Sequence, residues 1–180
     1  MLKKVLLTLV ALLAIGIVVV LALAAGKPDT FRVERSVTVQ APPEKIAPLI
    51  ENFQSWSAWS PYEKLDPSMK RVFSGAPSGK GAVYAWDGTG NAGAGRMEIV
   101  ESTPQRIGIR LDFSKPFTAH NMAAFTLQPQ GAGATRVTWS MDGPAPFVSK
   151  VMQVFISMDT MIGRDFEAGL ANLKTAAEKV

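Results

Sequence analysis

The chain has 180 residues, 47% of them hydrophobic, with a net charge of +4, a single histidine and no cysteine. This length is typical of one domain. The absence of cysteine excludes disulfides, thiolate catalysis and Cys-ligated metals, and one histidine excludes a multi-histidine metal site. Lys3 and Lys4 supply two of the positive charges, and no run of Lys or Arg exceeds that pair. We therefore expect no nucleic-acid partner, because such partners need a clustered basic face.

The N-terminal segment predicts a membrane anchor over residues 1–26. Residues 5–25 are all Ala, Val, Leu or Ile except Thr8 and Gly16. As a helix they rise about 31 Å, which matches a hydrocarbon core of about 30 Å. Their Leu, Ile and Val side chains favour insertion by roughly 4–8 kcal/mol, and no charge opposes it. A buried helix of a soluble core would keep a polar stripe, which this segment lacks.

The sequence leaves open whether this segment is retained. Residues 1–4 form a short positive region and 22–24 fit a small-residue cleavage site, as in a signal peptide. The apolar stretch is longer than the core of a usual signal peptide, so we favour an uncleaved anchor. Either alternative puts residues 27–180 on the exported side. Cleavage would make that part secreted or periplasmic.

The exported part begins with a strand and a short helix. Residues 31–39 alternate apolar and polar side chains, as in a half-buried strand. Pro43 suits the first turn of a helix, and Pro48 is expected to bend that helix or split it in two. The helix has an apolar stripe made of Ile46, Leu49, Ile50 and Phe53.

Six further strands are predicted after an aromatic, turn-rich stretch over residues 55–67. Each is short and alternating, and turn residues separate it from the next. No helical pattern lies between them, which excludes parallel crossovers and predicts an antiparallel meander. The six segments are 69–74, 81–86, 96–101, 106–114, 121–128 and 135–141.

A long helical pattern closes the chain, with apolar residues every three or four positions over 151–173. Gly163 and Gly169 lie on or beside this stripe. Each destabilises a helix by about 1 kcal/mol relative to Ala, so their presence needs an explanation. Either the helix approaches a sheet closely, or it breaks into two, with Asp159 able to cap the second piece. The order of elements predicts an α+β fold over residues 27–180. In it, a curved seven-stranded antiparallel sheet grips a long C-terminal helix.

The opening of this part resembles a known superfamily. Residues 31–39 and 41–46, followed by Phe53, Trp56 and Trp59-Ser60-Pro61, are similar to the start of SRPBCC (START-like, helix-grip) domains. The polyketide cyclase/dehydrase and lipid-transport branch is the nearest, and residues 170–174 resemble its final helix. The resemblance covers about residues 31–178. It implies a cavity between sheet and helix that takes lipids, sterols, hormones, polyketides or quinones in different members, without indicating which.

The alternation of side chains between the two faces of each predicted strand indicates which residues would line such a cavity. They are apolar side chains on one face of each strand and on the facing side of the long helix; an ordinary filled core is the alternative. Three aromatic residues are candidates for the cavity mouth or for contact with lipid headgroups, with packing against the helix end as the alternative. The lining candidates are Ala85, Met97, Ile99, Ile109, Leu111, Phe113, Phe125, Trp139, Met141, Phe155, Met158 and Ile162, and the mouth candidates are Trp56, Trp59 and Tyr62.

The polar residues that could take part in catalysis or ligand binding are supported less strongly than the apolar lining residues. His120 could face Asp112 across a hairpin and act as an acid or base, although a lone histidine is usually a surface residue. Arg35 could hold a ligand carboxylate or simply reach solvent from a strand end. Residues 88–93 match G-x-G-x-x-G, but a strand rather than a helix follows, so a glycine-rich hairpin is predicted. We assign no catalytic residue and expect no metal or cofactor.

The function favoured by these observations is a membrane-tethered module that binds a hydrophobic small molecule or lipid. One alternative is a cyclase- or dehydratase-type enzyme acting on an apolar substrate with His120 or Asp112. The other is an interaction domain with a filled core, serving a membrane complex. An internal void of roughly 300 Å³ or more would support ligand binding, and a close-packed interior would support the last.

Overall fold

A computed structural model describes residues 1–131 and 133–179. Its helices and strands follow the predicted order, with edges that differ by a few residues. The helices are α1 (Leu2–Ala25), α2 (Pro43–Glu51), α3 (Phe147–Phe155) and α4 (Met158–Glu178), and short 3-10 segments span Phe53–Ala58, Pro61–Lys64 and Gly90–Ala92. The strands are β1 (Thr30–Val39), β2 (Lys70–Gly75), β3 (Ala82–Asp87), β4 (Ala94–Thr103), β5 (Arg106–Lys115), β6 (Ala119–Gln130) and β7 (Ala134–Pro144).

The seven strands form one antiparallel sheet in the order β1-β7-β6-β5-β4-β3-β2. Strands β2 to β7 are a meander, and β1 joins its far edge beside β7. The pairing of β4 with β5 shifts register twice, between Ala94 and Gly95 and between Ile99 and Glu101. The predicted α+β fold with an antiparallel sheet is confirmed.

Helix α1 is the candidate membrane span. Among the described residues it is the helix that is long and apolar enough to cross a bilayer. Its 24 residues rise about 36 Å. Its surface is exposed except near its end, where Ala24 is buried, so α1 does not serve as a core helix of the domain.

Helix α2 runs through Pro48 without a break, so of the two predicted alternatives, a bend or a split, the split is excluded. Proline at this position removes one hydrogen bond to the preceding turn. The remaining turns are held by Ile46 and Ile50, which are fully buried in the core. Burial of these two side chains offsets the missing bond.

The C-terminal pattern forms two helices, because the chain is extended at Ile156 between α3 and α4. Ser157 rather than Asp159 caps α4, since its side chain accepts a hydrogen bond from the Thr160 amide at 3.1 Å. The alternative of a break is therefore correct, and the predicted cap is wrong. Asp159 instead lies in the first turn of α4 and pairs with Arg35.

The two glycines of α4 lie where the helix closely approaches side chains of the sheet, not where the chain breaks between α3 and α4. A Cβ on Gly169 would lie 2.8 Å from the Trp139 ring, and one on Gly163 would collide with the Arg35 guanidinium. Both contacts are too short for a real side chain. Helix α4 therefore packs tightly along β1 and against the concave face of the sheet, where Phe166, Leu170 and Leu173 enter the core.

Candidate functional site

Most of the predicted lining residues meet in one core between the sheet and α4. Phe113 lies at its margin, half-buried, with its ring centroid 5.7 Å from that of Trp86. Leu111, Met158 and Ile162 are also only partly buried. The fully enclosed members are Met97, Ile99, Ile109, Phe125, Trp139 and Met141.

Two of the predicted lining residues lie elsewhere. Ala85 faces away from the core, because its neighbour Tyr84 is buried and pairs with Met97 on the inner face. Both faces of β3 carry apolar residues, so alternation alone could not select the aromatic one. Phe155 ends α3 and is 72% exposed, because the break after it turns α3 away from the sheet.

Stacked aromatic rings fill the space beneath α4. The Trp139 ring lies between two others, with centroids 4.0 Å from Phe166 and 4.9 Å from Phe125. Trp59 packs edge-on against the same stack, 5.6 Å from Trp139 and 5.9 Å from Phe125. Such pairs contribute about 0.5–1.5 kcal/mol each beyond their buried area. In this conformation the rings, not open space, occupy the centre of the helix grip.

Two of the three mouth candidates belong to this filled interior. Trp59 has no exposed surface and Trp56 is buried beside it. Their indole N–H groups donate to the backbone oxygens of Leu49 and Ile50, both at 2.9 Å. Packing against the helix end, the alternative considered above, is correct for both. Only Tyr62 stays at the margin, with its ring 6.3 Å from that of Trp139.

Two polar groups, one at the edge of this core and one within it, could orient a ligand. Burial, and then the Asp165 carboxylate, raise the pKa of the Tyr62 phenol well above its usual value. The indole N–H of Trp139 is buried and has no hydrogen-bond partner among the described residues. A buried donor without an acceptor is costly. An acceptor on an apolar ligand that reached Trp139 would remove that cost.

Two clefts lie outside the predicted lining. A cleft of about 160 Å³ lies near the start of β3. The other, of about 350 Å³, lies between the edge strand β1 and α4. Neither contains any of the predicted lining residues. The larger one is lined by Arg35, Ser36, Val37, Glu167, Leu170, Ala171, Lys174 and Thr175.

Arg35 joins the edge strand β1 to α4. Its guanidinium donates to both carboxylate oxygens of Asp159, at 2.7 and 2.9 Å, and to Glu167 at 2.6 Å. These hydrogen bonds, Asp159 first, raise the pKa of Arg35, and Arg35 in turn lowers the pKa of Asp159. The fork that could have held a ligand carboxylate is therefore occupied by protein. We call this Arg35–Asp159–Glu167 group the edge clamp.

His120 and Asp112 do meet across a hairpin, as expected. His120 Nδ1 lies 2.7 Å from an Asp112 carboxylate oxygen. Asp112 alternates with Leu111 and Phe113, so the pair lies on the outer face of the sheet, away from the core. The His120 side chain is 72% exposed. The pair is thus separated from any apolar substrate in the interior and gives no support to acid–base catalysis there.

The glycine-rich segment is a hairpin, as predicted. A 3-10 turn at Gly90–Ala92 leads into β4 rather than into a helix. Asp66 holds this hairpin by accepting hydrogen bonds from the Thr89 amide and hydroxyl, at 2.8 and 2.9 Å. Hydrogen bonds from Ser68, and then Thr89, hold the pKa of Asp66 well below its usual range. Sequence reasoning missed this role, because nothing in the local pattern around Asp66 indicates its distant partner.

A second missed cluster fixes the segment that carries Tyr62. Glu63 accepts from the Tyr84 hydroxyl at 2.6 Å and from Arg71 at 2.7 Å. Burial, and then this hydrogen bond, raise the pKa of Tyr84. Among residues 1–131 and 133–179, no cluster of three or more His, Asp or Glu side chains could hold a metal ion. Glu63 therefore ties the segment that carries Tyr62 to β2 and β3.

Comparison with known proteins defines the family. Residues 30–178 match the model of the family described as polyketide cyclase / dehydrase and lipid transport. No curated protein matches the sequence. The chain belongs to the polyketide cyclase / dehydrase and lipid transport family, as its opening residues indicated.

Solved structures share the fold at low sequence identity. The Zhui aromatase/cyclase from Streptomyces sp. R1128 is 16% identical with a TM-score of 0.60, over 83% of this chain and 94% of that one. The di-domain ARO/CYC StfQ from the steffimycin biosynthetic pathway is 12% identical with a TM-score of 0.65, over 83% of this chain and 51% of that one. The Aha1 dimer from Colwellia psychrerythraea is 15% identical with a TM-score of 0.55, over 82% and 96%. These similarities show that the fold is a helix-grip fold.

Proposed function

We propose that this protein is a membrane-tethered module that binds a hydrophobic small molecule or lipid between the sheet and α4. The observation that carries the proposal is the contrast within its core. The centre is filled by aromatic rings, whereas Leu111, Met158 and Ile162 at its margin remain partly exposed. An apolar ligand would enter at this margin, and Tyr62 and the unpartnered N–H of Trp139 would meet its polar end.

Entry requires the first turns of α4 to move away from the sheet. The edge clamp spans those turns, from Asp159 to Glu167. Its two carboxylate side chains are more than half exposed, and exposed ion pairs contribute little to stability. From Phe166 onward the helix is held by Phe166, Leu170 and Leu173, which are buried in the core. Opening at the Met158 end is therefore cheaper than opening at the other.

Tethering by α1 suits an apolar ligand, since such molecules are concentrated in the bilayer. Helix α1 ends at Ala25 and β1 begins at Thr30, so only residues 26–29 separate the candidate span from the domain. A connection this short keeps the domain at the membrane surface. The ligand would then pass between bilayer and protein without crossing bulk water.

Mass spectrometry of the native protein tests ligand binding. The full chain, purified from a membrane, should release an apolar compound on solvent extraction. Ile162→Trp would fill the margin of the core and should strongly reduce the amount recovered. Met122→Trp, on the outer face of β6, is the matched control and should leave recovery unchanged. Unfolding curves for both variants show whether they remain folded. An empty native protein, or equal recovery from both variants, would contradict the proposal.

A second candidate function is an interaction domain with a permanently filled core. The stacking of Trp139 on Phe166 and Phe125 favours it, because a packed interior leaves no room for a ligand. The two candidates differ in the mobility of α4. Ligand binding predicts faster amide hydrogen exchange over residues 158–165 than over 166–177. A rigid interaction domain predicts uniform protection along the helix.

A further inference from the structure

Helix α3 exposes apolar residues on the outside of the protein and buries its charged residue on the inside. Four of its six apolar side chains are exposed, whereas Val151 and Val154 are half-buried, and the exposed apolar surface continues past its end to Ile156 and Met161. Its one charged residue, Lys150, faces inward and is 8% exposed. A helix on the surface of a water-soluble domain has the opposite arrangement. The outward side chains on α3 itself are Phe147, Val148, Met152 and Phe155.

This helix is fixed beside the end of the candidate membrane span. Helices α1 and α3 are in contact, and Ala24 in the last turn of α1 is fully buried. Asp29, in the connection between α1 and β1, accepts hydrogen bonds from α3 and from a residue that precedes α3 in the loop after β7. Its carboxylate accepts from the Lys150 ammonium, and its backbone oxygen accepts from the Ala145 amide at 2.7 Å. The Lys150 ammonium lowers the pKa of that carboxyl, which keeps it charged.

The strand pairing explains why the two helices meet. Thr30, the first residue of β1, pairs with Pro144, the last residue of β7. The chain therefore leaves α1 and enters α3 at the same end of the sheet. If α1 crosses a bilayer, α3 lies where α1 leaves the hydrocarbon, at the depth of the lipid headgroups and upper acyl chains.

We propose that α3 is an interfacial helix whose outward apolar face is buried in the outer part of the bilayer. The inference rests on the membrane tethering in the proposed function and adds which surface of the domain faces the lipid. Burial of a helix face at this depth is typical of amphipathic helices at membrane surfaces. This placement also brings the break at Ile156 and the Met158 end of α4 next to the membrane. An apolar ligand entering at that end would come directly from lipid.

Single-cysteine labelling tests this placement, because the natural chain has no cysteine. The full chain is reconstituted in phosphatidylcholine vesicles with an environment-sensitive fluorophore at Met152→Cys or Phe155→Cys. Quenching is measured with lipids brominated either near the headgroup or deep in the acyl chain. Val10→Cys, in the middle of α1, reports on the span. Gln128→Cys, exposed on β6, is the control in water.

The expected result is strong quenching at positions 152 and 155 by the shallow bromines and weaker quenching by the deep ones. Position 10 should show the reverse order, and position 128 should not be quenched. Quenching at position 10 without quenching at 152 and 155 would overturn the interfacial helix and leave the tether intact. No quenching at position 10 would overturn the tether and the inference together. Emission at 155 that depends on protein concentration, without lipid quenching, would show contact with a second copy instead and would also overturn it.

Discussion

Helices α3 and α4 are neighbours in the chain, yet they present their apolar residues in opposite directions. Helix α4 buries Phe166 against Trp139, whereas α3 leaves Phe155 exposed and buries Lys150. Only Ile156 and Ser157 separate them. The difference teaches that apolar spacing shows which face of a helix avoids water but not what covers that face. For α4 the cover is a sheet, and for α3 we propose lipid.

Removing one ring from each helix is the sharpest test of this contrast. Phe166→Ala should reduce the free energy of unfolding by about 3–5 kcal/mol, because it opens a cavity in the aromatic stack. Phe155→Ala removes the same ring from an exposed site and should change it by less than about 0.5 kcal/mol. Urea unfolding of the full chain in detergent micelles, followed by tryptophan fluorescence, measures both. Similar losses for the two variants would contradict the assignment of α3 to the outside of the core.

Adding a methyl group at Gly169 tests how closely α4 approaches the sheet. Gly169→Ala places a Cβ against the Trp139 ring and should destabilise the protein by about 1–3 kcal/mol. Gly163→Ala meets the end of the flexible Arg35 side chain and should cost less. Thermal unfolding of both variants compares them. A stabilised Gly169→Ala protein, as helix propensity alone predicts, would show that the close contact is absent.

The edge clamp should make α4 sensitive to acid. The pKa of Asp159 is below its usual 3.8 in the folded protein because Arg35 donates to its carboxylate. Stability from this group is therefore present above pH 3.8 and lost as the pH falls through the lower folded value. Asp159→Asn should be less stable than the natural protein at pH 5, with the difference shrinking toward pH 2. Urea midpoints across this range measure it. A constant or growing difference would exclude the clamp as its source.

The smallest effect is expected on the outer face of the sheet. His120→Ala removes an exposed side chain and should change the free energy of unfolding by less than about 0.5 kcal/mol. Recovery of an apolar compound from the purified protein should also be unchanged. Lost recovery without lost stability would restore His120 as a functional residue.

The sheet was predictable because its strands carry short alternating patterns separated by clear turns. The inner face of β3 was not, since Ala85 and Tyr84 are both compatible with a core and only pairing with Met97 decides between them. The family was predictable from the residues around Trp56 and Trp59. Their burial was not, because it depends on backbone acceptors in α2 that no local pattern reveals.

The partners in the ion pairs could likewise not be predicted from local sequence patterns. The sequence indicated that Arg35 could hold a ligand carboxylate or reach solvent, but its partners Asp159 and Glu167 lie far along the chain. Lys150 lies within a helical pattern and gives no sign that it pairs with Asp29. Spacing predicts contacts along one helix or strand. Contacts between distant elements depend on how the sheet and helices are assembled.

Quenching of the interior tryptophans by a dibrominated fatty acid tests the central claim most directly. Trp56, Trp59 and Trp139 lie in the core beneath α4, beyond the reach of a quencher that stays in the surrounding micelle. If an apolar ligand enters between sheet and helix, adding the fatty acid to the full chain should quench this fluorescence saturably, at one molecule per chain. Fluorescence that stays unquenched at every concentration would mean that the core is permanently filled, and would contradict the proposed binding function.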